Sequence, residues 1–232
     1  MTAMQMTLWH TRGNGDALAA KMWESNTNVK YVGTAGQLPA EVWAHSNKRI
    51  DTPDDIKGLK MRCAGDGGEI LASMGAATVF FPGGELYESM QRGVIDAFEY
   101  ASPFLNWGMG FHEVAKYLYM SPSRAPTDNA HVWVNRDDWE ELPADLQLIV
   151  INACIVAGID YTAESFLKDD EALVKYLDYG TEIIQVPAAV EDAFLAAAMA
   201  FYDKKAAGDA LYKEILDDHW EFKGAMDRAG IR

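Results

Sequence analysis

Apolar positions in the first two thirds of the chain fall in short blocks separated by glycine-bearing turns. In the last third they recur at helical spacing over long stretches. Asn14-Gly15-Asp16 reads as a turn and N-cap before a helix over Ala17–Trp23. Asn28–Thr34 alternates as a strand does and ends at Thr34-Ala35-Gly36. Thr52-Pro53-Asp54-Asp55 opens a short helical turn that Gly58 closes, and Leu59–Cys63 is a short strand. Gly65–Gly68 leads into a helix over Glu69–Met74, which Gly75 stops. The unit then repeats, with strand Ala77–Phe81, helix Glu85–Arg92 and strand Val94–Phe98. Such alternation predicts an α/β fold with largely parallel strands. Asn129–Val134 is the last strand of the central region. Beyond it, helices over Pro143–Tyr179, Ala188–Ala206 and Ala210–Arg228 surround one strand at Thr181–Val186.

Composition narrows what such a chain does. Its 232 residues hold 20 Lys and Arg against 35 Asp and Glu, a formal charge of −15, and are 49% hydrophobic. That is enough apolar matter for a real core in one large domain or two small ones. The charge argues against nucleic acid and anionic membrane surfaces as partners, because both need a cationic face. An anionic small molecule requires a local cationic spot built against the protein's own field. The two cysteines, Cys63 and Cys154, form no C-x-x-C pair and read as buried small hydrophobes. The apolar run Leu148–Ile159 is broken by Asn152 and is short of a membrane span. No secretion signal is visible at Met1–Leu8.

Enzyme signatures are missing. The five histidines never fall at the spacing of a helical metal pair, and the nucleophile-elbow, phosphate-loop and dinucleotide patterns do not occur. Gly65–Gly68 could turn its amides toward an anion, but a tight strand-to-helix turn is the favoured reading. Arg62 ends a short apolar strand where the chain breaks into glycine, and Glu99 ends another. Ligands of parallel α/β sheets collect beyond the carboxyl ends of strands, and a guanidinium there offers paired donors to a carboxylate. Two readings stay open for these residues: a ligand site, or a structural Arg–Glu ion pair.

The stretch Asp54–Arg62 (DDIKGLKMR), then Met74-Gly75-Ala76 and Gly83–Tyr100 (GGELYESMQRGVIDAFEY), closely resembles the DctP-type solute-binding proteins of tripartite ATP-independent periplasmic (TRAP) transporters. It most resembles the branch that binds 2-oxo and 2-hydroxy monocarboxylates. The likeness continues through Gly110-Phe111, Val114–Tyr117, Val134-Asn135 and Trp139–Gln147. It implies a two-lobed fold like that of periplasmic binding proteins, with mixed sheets, hinge strands and long C-terminal helices. The lobes close on a small organic acid, which is handed to a membrane permease with no chemical step. It places Arg62 on the ligand carboxylate, and it places Glu99 and the Tyr100 carbonyl on the acid and a bound cation. Trp43, Phe104 and Trp107 are added as aromatic walls.

Two departures from the family pattern stand out. Glu41 occupies a position where that branch has glutamine, and the segment after Tyr117-Leu118-Tyr119 reads Ser123-Arg124-Ala125-Pro126 where a further acidic ligand is expected. The expectation is that Arg124 takes the cation's place against Glu99 and Glu41, with no cofactor and a sodium or calcium ion disfavoured. The alternative is a solvated loop arginine. Residues 1–30 are expected to be the remnant of an incomplete first lobe and 31–98 the second lobe. Residues 99–142 are expected to return to the first lobe, and 143–232 to span and cover both. The chain is expected to be an N-terminally truncated form of a periplasmic protein, with a homodimer through its C-terminal helices. The rival functions are a ligand-sensing module for a signalling partner, and an enzyme using Glu99 or Glu41 as general base.

Overall fold

Thr2 caps the first helix, accepting from the Gln5 amide while the Gln5 side chain accepts from Thr2 N–H. The pattern of apolar residues gave this helix no signal; its capping box does. The computed structural model describes residues 1–121 and 123–231. In chain order the elements are α1 (Ala3–Arg12), α2 (Gly15–Asn26), β1 (Val29–Leu38), β2 (Ala44–Ser46), β3 (Lys60–Arg62), α3 (Gly65–Ser73), β4 (Ala77–Val79), α4 (Leu86–Gln91) and β5 (Ala97–Phe98). There follow α5 (Pro103–Gly108), β6 (Tyr117–Met120), β7 (Asp128–Asn135), α6 (Arg136–Glu141), α7 (Ala144–Tyr179), β8 (Glu182–Gln185), α8 (Ala188–Gly208) and α9 (Ala210–Arg228). The chain divides into two compact units. Residues 1–39, 127–166 and 205–232 form one, and residues 40–126 and 167–204 form the other.

In the first unit β1 pairs antiparallel with β7, with irregularities between Tyr31 and Gly33 and between Thr34 and Gln37. Gly36 takes φ +107° at the second of these. Met1, Met6, Trp9 and Leu18 pack with Ile215 and Phe222, and Trp9 Nε1 donates to Asp218 at 2.6 Å. At α7, any Cβ on Gly158 would lie 2.6 Å from the Gly36 nitrogen. Two glycines therefore let strand and helix touch backbone to backbone, and Gln37 N donates to Thr162 Oγ1 at 2.9 Å there.

The second unit carries a six-stranded sheet in the order β4-β3-β5-β2-β6-β8. β3 runs parallel to β4 and β5, and β6 parallel to β8, but β2 is antiparallel to both its neighbours. The expectation of largely parallel strands from the sequence pattern is thus corrected to a mixed sheet, because the three-residue β2 is too short to show a period. β6 pairs with β2, and the chain from Glu99 to Pro126 belongs to this unit. Met61, Ala97 and Tyr119 join Trp43, Ile50, Leu71 and Phe194 in one cluster, while Phe98 packs with Leu86, Met90 and Phe111 in another. Alternate residues of each strand thus serve different clusters. Among the described residues, α7 is the one helix with an 18-residue stretch long and apolar enough to cross a bilayer; that stretch has a mean hydropathy of 1.6 and is 6% buried. Asn152, Asp160 and Glu164 break up its apolar sequence.

Candidate functional site

β3 is short and ends at Arg62, whose carbonyl accepts from Glu99 N at 3.2 Å and so ties the ends of β3 and β5 together. The Arg62 side chain is buried. Its Nε donates to Phe81 O at 3.0 Å, and its Nη1 donates to Glu99 O at 2.7 Å and to Glu99 Oε1 at 3.1 Å. Among the described residues Nη2 makes no hydrogen bond. The guanidinium carbon lies 5.3 Å from the ring centre of Phe80, a residue 66% exposed, and 5.8 Å from that of half-buried Tyr100. A large exposed aromatic beside a buried cation is the arrangement of a site mouth, not of a core.

Glu99 is 3% exposed and both its oxygens are engaged. Oε1 accepts from Ala64 N at 2.5 Å as well as from Arg62, and Oε2 lies 3.1 Å from Arg124 Nη2. Arg124 in turn places Nη1 3.3 Å from Glu41 Oε2 and donates from it to Val42 O at 3.3 Å. The loop bearing it is held in place locally: Arg124 N donates to Ser121 Oγ, Ser121 Oγ donates to Glu191, and Glu41 N donates to Ala125 O. Ala125 takes the left-handed φ of +43° that the turn requires. Two buried guanidinia are thus joined through one buried carboxylate, with a second carboxylate on the outer side of Arg124. Charge-assisted bonds of this kind cost much when one partner is lost.

Glycines make room for this cluster. A Cβ on Gly83 would fall 2.5 Å from the Tyr100 ring, and one on Gly67 would sit 3.5 Å from Arg124 Nη2 and 3.7 Å from its Nε. That Nε is buried and has no partner among the described residues. Gly67 lies in the first turn of α3, which begins at Gly65 rather than at Glu69 as the sequence predicts. Cys63, next to the cluster, has its thiol pushed up to about 12, first by burial and then by Glu99. A thiol so held is no nucleophile.

The structure brings together Arg62, Glu99, Tyr100, Arg124 and Glu41, and it places Trp43 and Trp107 in apolar clusters instead. Trp43 is fully buried, edge-on to Tyr119 and Phe194 in the hydrophobic cluster. Trp107 stacks on His112 at 3.7 Å and packs beside Val42, Leu118 and Tyr176. Phe104 is half-buried at the start of α5, under Lys168 Nζ at 4.8 Å, and its N–H donates to Asp169. Phe80, the Phe81 carbonyl and the Ala64 amide were missed. The apolar run Ala77–Phe81 gave a signal only for a strand, and main-chain groups carry none.

A family model described as bacterial extracellular solute-binding protein, family 7 (DctP), matches residues 2–209. The chain is 27% identical over 223 residues to a monocarboxylate 2-oxoacid-binding periplasmic protein of Nostoc, covering 96% of this chain and 61% of that protein. Among solved structures, a TRAP periplasmic solute-binding protein of Colwellia psychrerythraea with bound calcium and pyruvate superposes with a TM-score of 0.92 at 30% identity. The match covers 98% of this chain and 69% of that one. Another, from Pseudoalteromonas atlantica with bound sodium and pyruvate, gives 0.91 at 30% identity with the same coverage, 98% and 69%. The chain spans less than two thirds of the length of the Nostoc relative. It belongs to the bacterial extracellular solute-binding proteins of family 7, the DctP family.

Proposed function

We propose that this chain is the ligand-binding part of an extracytoplasmic TRAP solute-binding subunit that captures a small carboxylate by lobe closure and delivers it to a membrane permease. The observation that carries this reading is the Arg62 guanidinium. It is buried at the end of β3, fixed through Nε and Nη1, and has Nη2 still to receive an anion beneath exposed Phe80. Similarity to the 2-oxoacid-binding and pyruvate-bound relatives supports an acid of that size.

The chain's own groups supply the anchor for the acid. Glu99 fixes the plane of Arg62, so little side-chain freedom is lost when the acid arrives. Tyr100 and Phe80 cover the guanidinium faces and strengthen each charge-assisted bond by keeping water off. Arg124 meets the acid's second polar group. On this reading no bond of the ligand is made or broken. Pairing of two copies through the C-terminal helices belongs to the same reading.

A thermal-shift screen over 2-oxo, 2-hydroxy and simple monocarboxylates tests it. An acid at about a hundred times its Kd adds about 2.7 kcal/mol, a rise of roughly 5–10 °C for a chain of this size. Arg62→Ala should abolish that rise for every acid. Stabilisation retained in folded Arg62→Ala, or turnover of the acid, overturns the proposal.

A further inference from the structure

The similar proteins of Colwellia and Pseudoalteromonas hold pyruvate together with calcium and sodium respectively. The residues of this chain fit such a cation poorly. Calcium needs six to eight oxygens at about 2.3–2.6 Å. The carboxylates nearest the acid site, Glu99 and Glu41, instead face a guanidinium: Arg124 Nη2 is 3.1 Å from Glu99 Oε2 and Arg124 Nη1 is 3.3 Å from Glu41 Oε2. The other Glu99 oxygen already accepts from Ala64 N and Arg62 Nη1.

We propose that Arg124 stands in the cation's place, so that this protein binds its acid without a metal and Arg124 sets its selectivity. The inference rests on the carboxylate-binding reading above for the acid, but its charge argument concerns Arg124, Glu99 and Glu41 alone. The loop holds Arg124 rigidly through Ser121 and Val42, and its buried Nε lacks a partner beside the Gly67 amide turn. A fixed cation with one donor unspent is what a ligand oxygen needs. It differs from a metal in one respect that matters for selectivity. A metal is chelated by a carboxylate and a 2-oxo oxygen together, whereas a guanidinium only donates hydrogen bonds to each. The protein should therefore separate pyruvate from propionate by far less than a metal-chelating site does.

Calcium binding is measured on the purified chain by equilibrium dialysis, with and without pyruvate, and acid binding by thermal shift in sodium and in choline buffers. The expected result is no stoichiometric calcium at about 1 mM, a level that fills extracellular calcium modules. The pyruvate shift should be the same in EDTA, sodium and choline. Arg124→Gln, which returns Glu99 and Glu41 to an incoming ion, should gain one calcium, and Arg124→Lys should not. Stoichiometric calcium on the unmodified chain, or a pyruvate shift that vanishes in EDTA or choline, overturns the proposal. So does a folded Arg124→Gln that takes up none. If Arg124→Gln does not fold, the unmodified chain and Arg124→Lys decide alone. A chain that binds neither calcium nor any acid overturns the carboxylate reading but leaves the exclusion of the cation by Arg124 standing, so the two failures are distinguishable.

Discussion

Glu99 bears more of the site's order than either arginine, since it accepts from Ala64 N and Arg62 through one oxygen and faces Arg124 through the other. Replacing it by Gln keeps the shape and removes the charge, leaving two buried guanidinia beside a neutral amide. Breaking a buried pair in this way costs about 3–5 kcal/mol. Glu99→Gln should lower the urea midpoint accordingly with an unchanged slope, and a loss under about 1 kcal/mol would show that Glu99 is not the tie. His45 makes the same scale of argument for pH. It is fully buried, stacked on Phe98 at 5.0 Å, and neither ring nitrogen has a partner among the described residues. Burial, then His112, push its pKa down to about 3. The depressed folded value means the neutral ring contributes stability that is fully present above pH 6.5 and is lost as pH falls toward 3. His219, at about 4, and His131, also lowered mainly by burial, act in the same direction. Stability should therefore fall already between pH 6.5 and 5, before carboxylates protonate. His45→Phe, which keeps the stack, should remove about one proton from that slope in urea titrations at each pH.

At the level of elements, the contact of β1 with α7 depends on having no side chain at two positions. A Cβ on Gly158 meets the Gly36 nitrogen at 2.6 Å and the Ala35 carbonyl carbon at 2.7 Å, both backbone atoms that cannot swing aside. Gly158→Ala should cost about 1–3 kcal/mol by overpacking even though alanine favours a helix. Gly208→Ala, which meets nothing within 4 Å, should cost nothing. Equal urea midpoints for the two variants would refute the close approach. Sequence made the long helices legible because their period repeats many times: Pro143–Tyr179 against the observed Ala144–Tyr179, and Ala210–Arg228 to the residue. β2 and α5 were not legible, because three and six residues hold fewer than two full periods and no glycine turn marks where either begins. The strand end at Arg62 was visible as a break into glycine. The fates of Trp43 and Trp107 were not, because which side of a short strand or helix faces apolar neighbours is decided by tertiary packing. Arg124 lies in a loop whose conformation depends on Ser121, Glu191 and a left-handed Ala125, contacts between segments far apart in the chain.

For the molecule as a whole, the uncovered face of α7 and the net charge of −15 pull in opposite directions. Leu148, Ile155, Ile159 and Phe166 recur on one side of the helix and are 58%, 52%, 69% and 45% exposed. Exposed apolar stripes of this length are the surfaces on which proteins commonly dock or associate. At low salt the like charges of two copies repel over a Debye length of about 30 Å at 0.01 M, which shrinks to about 8 Å at 0.15 M. The apolar attraction acts only at contact and does not weaken with salt. Copies of the chain should therefore approach the monomer mass of 25.7 kDa by light scattering at low salt and associate as salt rises, with an apolar dye bound in the monomer and displaced on association. Ile155→Glu with Ile159→Glu should hold the chain at 25.7 kDa at high salt and reduce dye binding, while leaving any acid-induced thermal shift intact, because both residues belong to the first unit and the Arg62 cluster is built entirely within the second. A mass independent of both salt and these substitutions would mean that the stripe drives no association, and that its apolar residues are tolerated singly on the surface.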